Sequence, residues 1–395
     1  MKERIFVSFL KGKKTVLWAA LFLLGLLYIC IGNEVSFKAA FVESVEDAKP
    51  AFDAGVPVVF GCDGDYVPYL GVSLRSLIDN SDMRRSYDIW VLDGGIREKD
   101  KKIIGNMIKG RKNFSIRFFD IKPFISENEK KLYLFHKHIS AATYYRLFIP
   151  RIFSAYRKMV YLDSDIIVNA DIAKLYDINL EGRILGAARD IPNIRSGAAR
   201  SVNGNRQNEY FSAGVLLLDV KRMRENDITD KSLQLLSRKI KEKRRREFYE
   251  DQDLLNEICL GNVKIIDEKW NLFNRYCYEE RSGETKNAAG KKMQVRVFFE
   301  KTQANIAADF RHMKEKKLTS TPFFFGRRSK VYDIPAVIHY AGAKKPWKEE
   351  VRCGNIWWEY AEKSPFYSDI IEKYKKVREI ASHPGLFIDN RLKLK

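Results

Sequence analysis

The chain is short of the glycine signatures that announce the commonest α/β chemistries. No GxGxxG follows its first apolar strand, where "FGCDGDY" stands instead, and no GxxxxGK[ST] run occurs anywhere. Hydride transfer on a Rossmann fingerprint and P-loop phosphoryl transfer lose their main support. No GxSxG elbow is present, which argues against an α/β-hydrolase. Cysteine is scarce: Cys30, Cys62, Cys259, Cys277 and Cys353 are scattered, odd in number and without a CxxC pair. That pattern indicates neither a zinc ribbon nor a dense disulfide framework, and leaves long-range disulfides open. Acidic residues are outnumbered, 51 against 71 basic, for a net charge of +20. Such an excess points to an anionic partner: a nucleotide, a phosphorylated glycan, an acidic lipid surface or nucleic acid. Its densest block, "SRKIKEKRRREF" (Ser237 to Phe248), reads as a solvated helix face. No nucleic-acid-binding module accompanies it, so no nucleic-acid partner is expected.

What is present is enough apolar material for a large core. Hydrophobic residues make up 45% of the 395 and aromatics 13%, which excludes a disordered chain. The N-terminus has a basic flank at 1–14, followed by an uncharged apolar run from Val16 to Ile31. Thr15 and Gly32 extend the run toward the roughly 20 residues that span a bilayer. "NEVSFKAAF" after it is a poor cleavage site, so 15–32 is expected to be an uncleaved single-pass anchor; a cleaved signal peptide is the alternative. The positive-inside rule then places the N-terminus in the cytoplasm. In a eukaryote the main domain would face the Golgi lumen. In a bacterium the run would lie on or in the inner membrane, with the catalytic face in the cytosol.

Residues 33–55 read as a polar stem. Apolar strands at "VPVVFGC", "YDIWVLDGG", "FSIRFFDI" and "RKMVYLDSD" then alternate with helical patterns, the first carrying Leu70, Leu74, Leu77 and Ile78 on one side. The fold class this predicts is α/β, a single Rossmann-like, doubly wound, mostly parallel sheet with helices on both faces. The main domain is expected at 56–350 with an insertion at 279–330, and 351–395 as a helical basic tail that either packs on the domain or lies on a membrane surface.

One stretch stands out. "KMVYLDSDIIV" is an apolar strand ending in Asp163 and Asp165, with Ser164 between them. Side chains two apart on an extended segment face the same way. Ligands of open α/β sheets gather beyond the carboxyl ends of the strands. Two carboxylates at such a point suit Mg²⁺ or Mn²⁺ shared with a substrate diphosphate; capping of the next turn is the plain alternative.

The chain resembles the glycosyltransferases of family eight, the group of lipopolysaccharide galactosyl- and glucosyltransferases and glycogenins. The resemblance is carried by "FGCDGDYVPYLGVSLRSL", "HISAATYYRLFIP", "KMVYLDSDIIVNADIAKLYD", "YFSAGVLLLDVKRMRE", "YEDQDLLNE", "KWNLF" and "HYAGAKKPW", in family order from Val56 to Trp347. It implies a GT-A fold, a UDP-sugar donor, Mn²⁺ (with Mg²⁺ the alternative) and retention of configuration. By the same resemblance Asp163, Asp165 and His339 are metal ligands, and Gly342 and Lys345 hold the diphosphate. Asp63, Asp65 and Tyr66 bind uridine, with Tyr66 stacking on the base and Ser164 counted with the nucleotide residues. Arg146, Asp251 and Gln252 attend the transferred sugar as the catalytic group. Ser212 stands where many relatives have Asn before "AG", and Asp65 where many have Asn. Asp253 is expected to cap its helix.

The function this implies is transfer of a hexose, galactose or glucose foremost, to a glycan, glycolipid or lipopolysaccharide-core hydroxyl. Gln252 is a poor nucleophile, which favours same-face substitution, with Asp251 or Asp253 as nucleophile the alternative. A UDP-sugar hydrolase or an inactive UDP-sugar-binding relative would share the donor site.

Overall fold

The structure, a computed structural model, describes residues 40–42, 44–128, 141–241, 250–276, 285–286, 292–293 and 335–382. The chain divides into two units, Met1–Ala40 and Phe41–Lys395, and the features below belong to the second. The anchor expected at 15–32 lies outside the described residues, as does all of the 279–330 insertion except 285–286 and 292–293. Among the described residues no helix is long and apolar enough to cross a membrane.

The four strands named from the apolar runs are present as β1 (Gly55–Cys62), β2 (Ser86–Asp93), β3 (Phe114–Asp120) and β4 (Lys158–Leu162), and β5 (Ile166–Val168), β6 (Leu185–Arg189), β7 (Phe211–Asp219), β8 (Val263–Ile265), β9 (Leu272–Phe273) and β10 (Val337–His339) follow them. In β1, Val56 to Cys62 are buried without interruption. That is the signature of a strand covered on both faces, and it explains why its sequence does not alternate. From Gly55 onward the main sheet runs β3–β2–β1–β4–β7–β6–β8. All neighbours are parallel except at β7, which is antiparallel to β4 and β6. Leu162 pairs with both Phe60 and Val215. The chain leaving β1, the chain leaving β4 and the chain entering β7 therefore meet at one edge.

The expectation of a single sheet is corrected. After Asp165 the chain leaves the main sheet, and β5 joins a three-stranded sheet in the order β9–β10–β5. Its register sets His339 opposite Ile166 on one side and Phe273 on the other. The turn at Asp163–Asp165 causes the switch, because it ends pairing with β1 and frees the Ile166–Val168 backbone for β10.

Helix α1 (Val67–Asp79) follows β1 and buries Leu70, Leu74, Leu77 and Ile78, as their spacing predicts. Helix α2 (Glu98–Asn106) follows β2. The tail forms two described helices, α7 (Gly354–Glu362) and α8 (Tyr367–Ser382). Trp357, Phe366 and Ile370 are buried, and α7 packs on α1. At Gly71 of α1 a Cβ would stand 2.4 Å from Phe366 Cδ2, so this close approach requires glycine. Packing on the domain is thus what these aromatics do. Between these elements lie α3 (Ile191–Ser196), α4 (Val220–Glu225), α5 (Ile228–Lys241) and α6 (Glu250–Ile258). The first part of the basic block sits on α5, where Arg238 and Lys239 reach Glu257 of α6 at 3.1 and 2.7 Å.

Candidate functional site

The turn after β4 is tied at three points. Asp163 N–H donates to Gly214 O (2.9 Å), Ser164 Oγ donates inward to Gly61 O (2.8 Å), and Ser73 Oγ lies 2.8 Å from the carbonyls of Ser164 and Ile166. Ser164 is buried and faces the core. The structure therefore gives it the part of a spacer and does not bring its hydroxyl to the carboxylates.

Each carboxylate has one oxygen held by the protein and one turned to a common point. Asp163 Oδ1 accepts from Arg146 Nη2 (2.8 Å) and Tyr161 Oη (2.7 Å), while its Oδ2 lies 3.7 Å from His339 Nε2. Asp165 Oδ2 accepts from Lys345 Nζ, and its Oδ1 lies 3.3 Å from His339 Nε2. Asp163, Asp165 and His339 each offer a ligand atom, all within 4.8 Å of one another. His339 Nδ1 faces Asn271 Oδ1 at 2.9 Å. A ring that donates there presents an unprotonated Nε2 to two carboxylate oxygens. Three acceptors aimed at one point without a donor between them suit a divalent cation. Burial raises Asp165, but the Lys345 ammonium beside it overrides that and holds the carboxyl well below the usual range. Burial wins at Asp163, whose pKa is raised despite Arg146.

Arg146, expected beside the donor sugar, is buried in the wall of the site. It projects from a 3₁₀ segment, Ala141–Phe148, into the junction of β4, β7 and α6. Besides Asp163 it donates to Ala213 O and to Thr143 O (Nε, 3.1 Å), and its guanidinium lies 4.4 Å from the Tyr161 ring centroid. Asp251 Oδ2 is 2.9 Å from the same Nε, an electrostatic contact, since the Nε proton points to Thr143. Asp251 Oδ1 accepts from Thr143 Oγ1. Burial pushes the Asp251 carboxyl up, against the opposing pull of Arg146.

Gln252 has both amide protons committed, to Asp190 Oδ2 (2.8 Å) and Tyr210 Oη (3.0 Å), and its Oε1 accepts from Ala213 N (3.1 Å). What remains is one lone pair on Oε1. Asp253, expected to cap its helix, is buried and accepts from Tyr210 Oη. Ser212 is buried on β7, with Oγ 3.4 Å from Gly214 N.

The loop after β1 is a short 3₁₀ turn, Gly64–Tyr66, capped by Asp63 Oδ1 accepting from Tyr66 N (3.1 Å). Asp65 is exposed. The Tyr66 ring packs edge-on to Tyr69 (5.3 Å) and Trp347 (6.0 Å). Its hydroxyl is held protonated by burial first, then by the negative charge of Asp165. This loop therefore borders the carboxylate pair. On the other side, Lys345 Nζ donates to Tyr340 O (2.7 Å) as well as to Asp165, and Gly342 turns the loop at φ +87°.

Sequence reasoning missed four residues here. At Gly214 a Cβ would stand 2.2 Å from His339 Cε1 and 2.8 Å from Asp163 Oδ2, so the cradle of the cluster excludes any side chain. Asn271 orients His339, and its own Nδ2 is buried with no partner among the described residues. Asp190 caps α3, accepting from Asn193 N (3.0 Å), and with Tyr210 holds Gln252. The blocks "SAG" and "KWNLF" contained Gly214 and Asn271; Asp190 carried no signal beyond its place at a strand end.

Comparisons with known proteins place the chain in one family. The family model of glycosyl transferase family 8 matches residues 57–296. A Haemophilus influenzae relative is 31% identical over 218 residues, 54% of this chain but only 62% of its own length. The lipopolysaccharide 1,2-glucosyltransferase of Escherichia coli K12 is 23% identical over 298 residues, 73% of this chain and 72% of that protein. Among solved structures, the galactosyltransferase LgtC in complex with donor and acceptor sugar analogs superimposes with a TM-score of 0.58 at 26% identity, covering 78% of this chain and 96% of that one.

Proposed function

The chain belongs to glycosyl transferase family 8, and on that premise we propose that it moves a hexose, glucose or galactose, from a UDP-sugar to a hydroxyl of a glycan, glycolipid or lipopolysaccharide-core acceptor, with retention of configuration. The observation that carries the proposal is the split of each carboxylate. One oxygen of Asp163 and one of Asp165 are fixed by Arg146, Tyr161 and Lys345, and the other two converge with His339 Nε2. The names of the relatives, a glucosyltransferase and a galactosyltransferase, support the hexose.

Asp163, Asp165 and His339 would hold Mn²⁺ or Mg²⁺, which would supply Lewis-acid stabilisation of the departing diphosphate. Lys345 is the protein cation of the site and Gly342 gives the loop a close backbone approach. Asp63 shapes the loop assigned to uridine, with Asp65 and Tyr66 at its rim. Gln252, fixed at three of its four hydrogen-bonding positions, presents Oε1 to the sugar. An amide oxygen is a weak nucleophile, and Asp251 is occupied by Thr143 and Arg146. Both points support same-face substitution, in which the leaving phosphate takes the acceptor proton. The apolar run at 15–32 is proposed to tether the enzyme to a membrane.

The test is a donor screen by UDP release. With Mn²⁺ and a glycan acceptor, UDP-glucose or UDP-galactose should turn over and EDTA should stop the reaction. UDP release unaffected by acceptor would instead identify a hydrolase.

A further inference from the structure

Lys344 and Lys345 are consecutive but differ in burial. Lys345 is buried on Asp165, whereas the Lys344 side chain is 77% exposed. On Lys344's side of the loop lies a cavity of about 670 Å³, a volume usual for small-molecule sites. Among the described residues its apolar lining comes from Ala341, Ala343 and Val351, and its charged lining from Arg275, Lys344 and Arg352 with a single carboxylate, Glu350. Three cations against one anion leave this described lining at +2.

These cations are not consumed by the fold. Among the described residues Lys344 meets only Glu349, at 3.6 Å and exposed, a contact of little worth. Among the described residues neither Arg275 nor Arg352 has a carboxylate partner. Arg352 Nη1 donates to Arg275 O (2.9 Å), which joins the two residues at the cavity wall. Arg275 Nη2 lies 3.7 Å from where a Cβ on Gly342 would be, and its guanidinium is 5.9 Å from the Phe273 ring centroid. Phe273 pairs in register with His339, and Asn274 and Arg275, which follow it, line the cavity, so the cavity adjoins the strand pair that carries His339. Like charges gathered around an apolar hollow repel one another unless an anion enters.

We infer that this cavity is an acceptor subsite for an anionic sugar, one bearing a phosphate or a carboxylate; the inference rests on the transferase reading above. The apolar lining takes the C–H face of the ring, and Arg275 and Arg352 take the anion, in the forked geometry that suits either oxyanion. The donor binds on the far side of the Gly342 loop, so both substrates fit at once.

Calorimetry on the full chain saturated with UDP and Mn²⁺ tests it, with glucose, glucose 6-phosphate and glucuronic acid as probes. At least one charged sugar should bind roughly tenfold more tightly than glucose, and the two arms tell phosphate from carboxylate. An Arg275→Ala/Arg352→Ala double variant should bind all three sugars alike. Equal affinity of the three sugars for the unaltered chain, or a preference that survives in the double variant, overturns the inference. The transferase reading fails separately, as absence of UDP binding. The same titrations without UDP then still decide the anion site, by their dependence on Arg275 and Arg352.

Discussion

Gly214 and His339 touch so closely that a single methyl group cannot be placed between them: a Cβ on Gly214 would lie 2.2 Å from His339 Cε1 and 2.7 Å from Nδ1. Both are strand residues that pairing holds in place, so neither yields easily. Gly214→Ala should therefore displace the imidazole and lower Mn²⁺ affinity about 10–100-fold, measured by calorimetry, with the far-ultraviolet circular dichroism retained. Unchanged affinity would mean that His339 is not a ligand.

Asn271 fixes the His339 ring through Nδ1. Asn271→Leu should cost about 10–100-fold in Mn²⁺ affinity, measured by calorimetry. A variant with wild-type affinity would remove Asn271 from the site.

Arg146 stands between two carboxylates, the half-buried Asp163 at 2.8 Å and the buried Asp251 at 2.9 Å. Their negative charge outweighs the burial that would lower its pKa. Arg146→Ala strands both acids, and such breaks cost about 3–5 kcal/mol, to be read from urea unfolding. A cost near zero would show that Arg146 serves the donor and not the scaffold.

Gln252→Glu sets a carboxyl where the amide now donates to Asp190, 2.8 Å away. Beside that acid the new group should hold its proton above the unfolded value of about 4.3. The folded state then binds more protons than the unfolded one, so stability should fall as pH rises from 4, by up to about 1.4 kcal/mol per unit. A variant whose stability is flat from pH 4 to 8 would place the Gln252 side chain elsewhere.

The parallel strands, α1 and the Asp-Ser-Asp turn were legible because each is written in adjacent residues. Apolar runs mark strands, helical spacing marks α1, and a gap of one residue aligns two carboxylates. The departure of β5 into a second sheet was not legible, because three apolar residues look the same in either sheet and the choice depends on β10, well over a hundred residues later. Arg146 is named from the sequence for the donor sugar, but its contacts with Ala213 and Asp251 are not legible there, since they join distant segments. The opposite environments of Lys344 and Lys345 follow from the turn at Gly342, and a pair of lysines does not show which one is buried.

The central claim is that Asp163, Asp165 and His339 hold the metal on which UDP-sugar transfer depends. The direct measurement is Mn²⁺-dependent UDP release by Asp165→Ala beside the unaltered chain, with thermal melting as the check on folding. The account predicts that the variant melts normally, binds Mn²⁺ weakly and releases no UDP above background. Full activity in Asp165→Ala, or activity of the unaltered chain in EDTA, would contradict it.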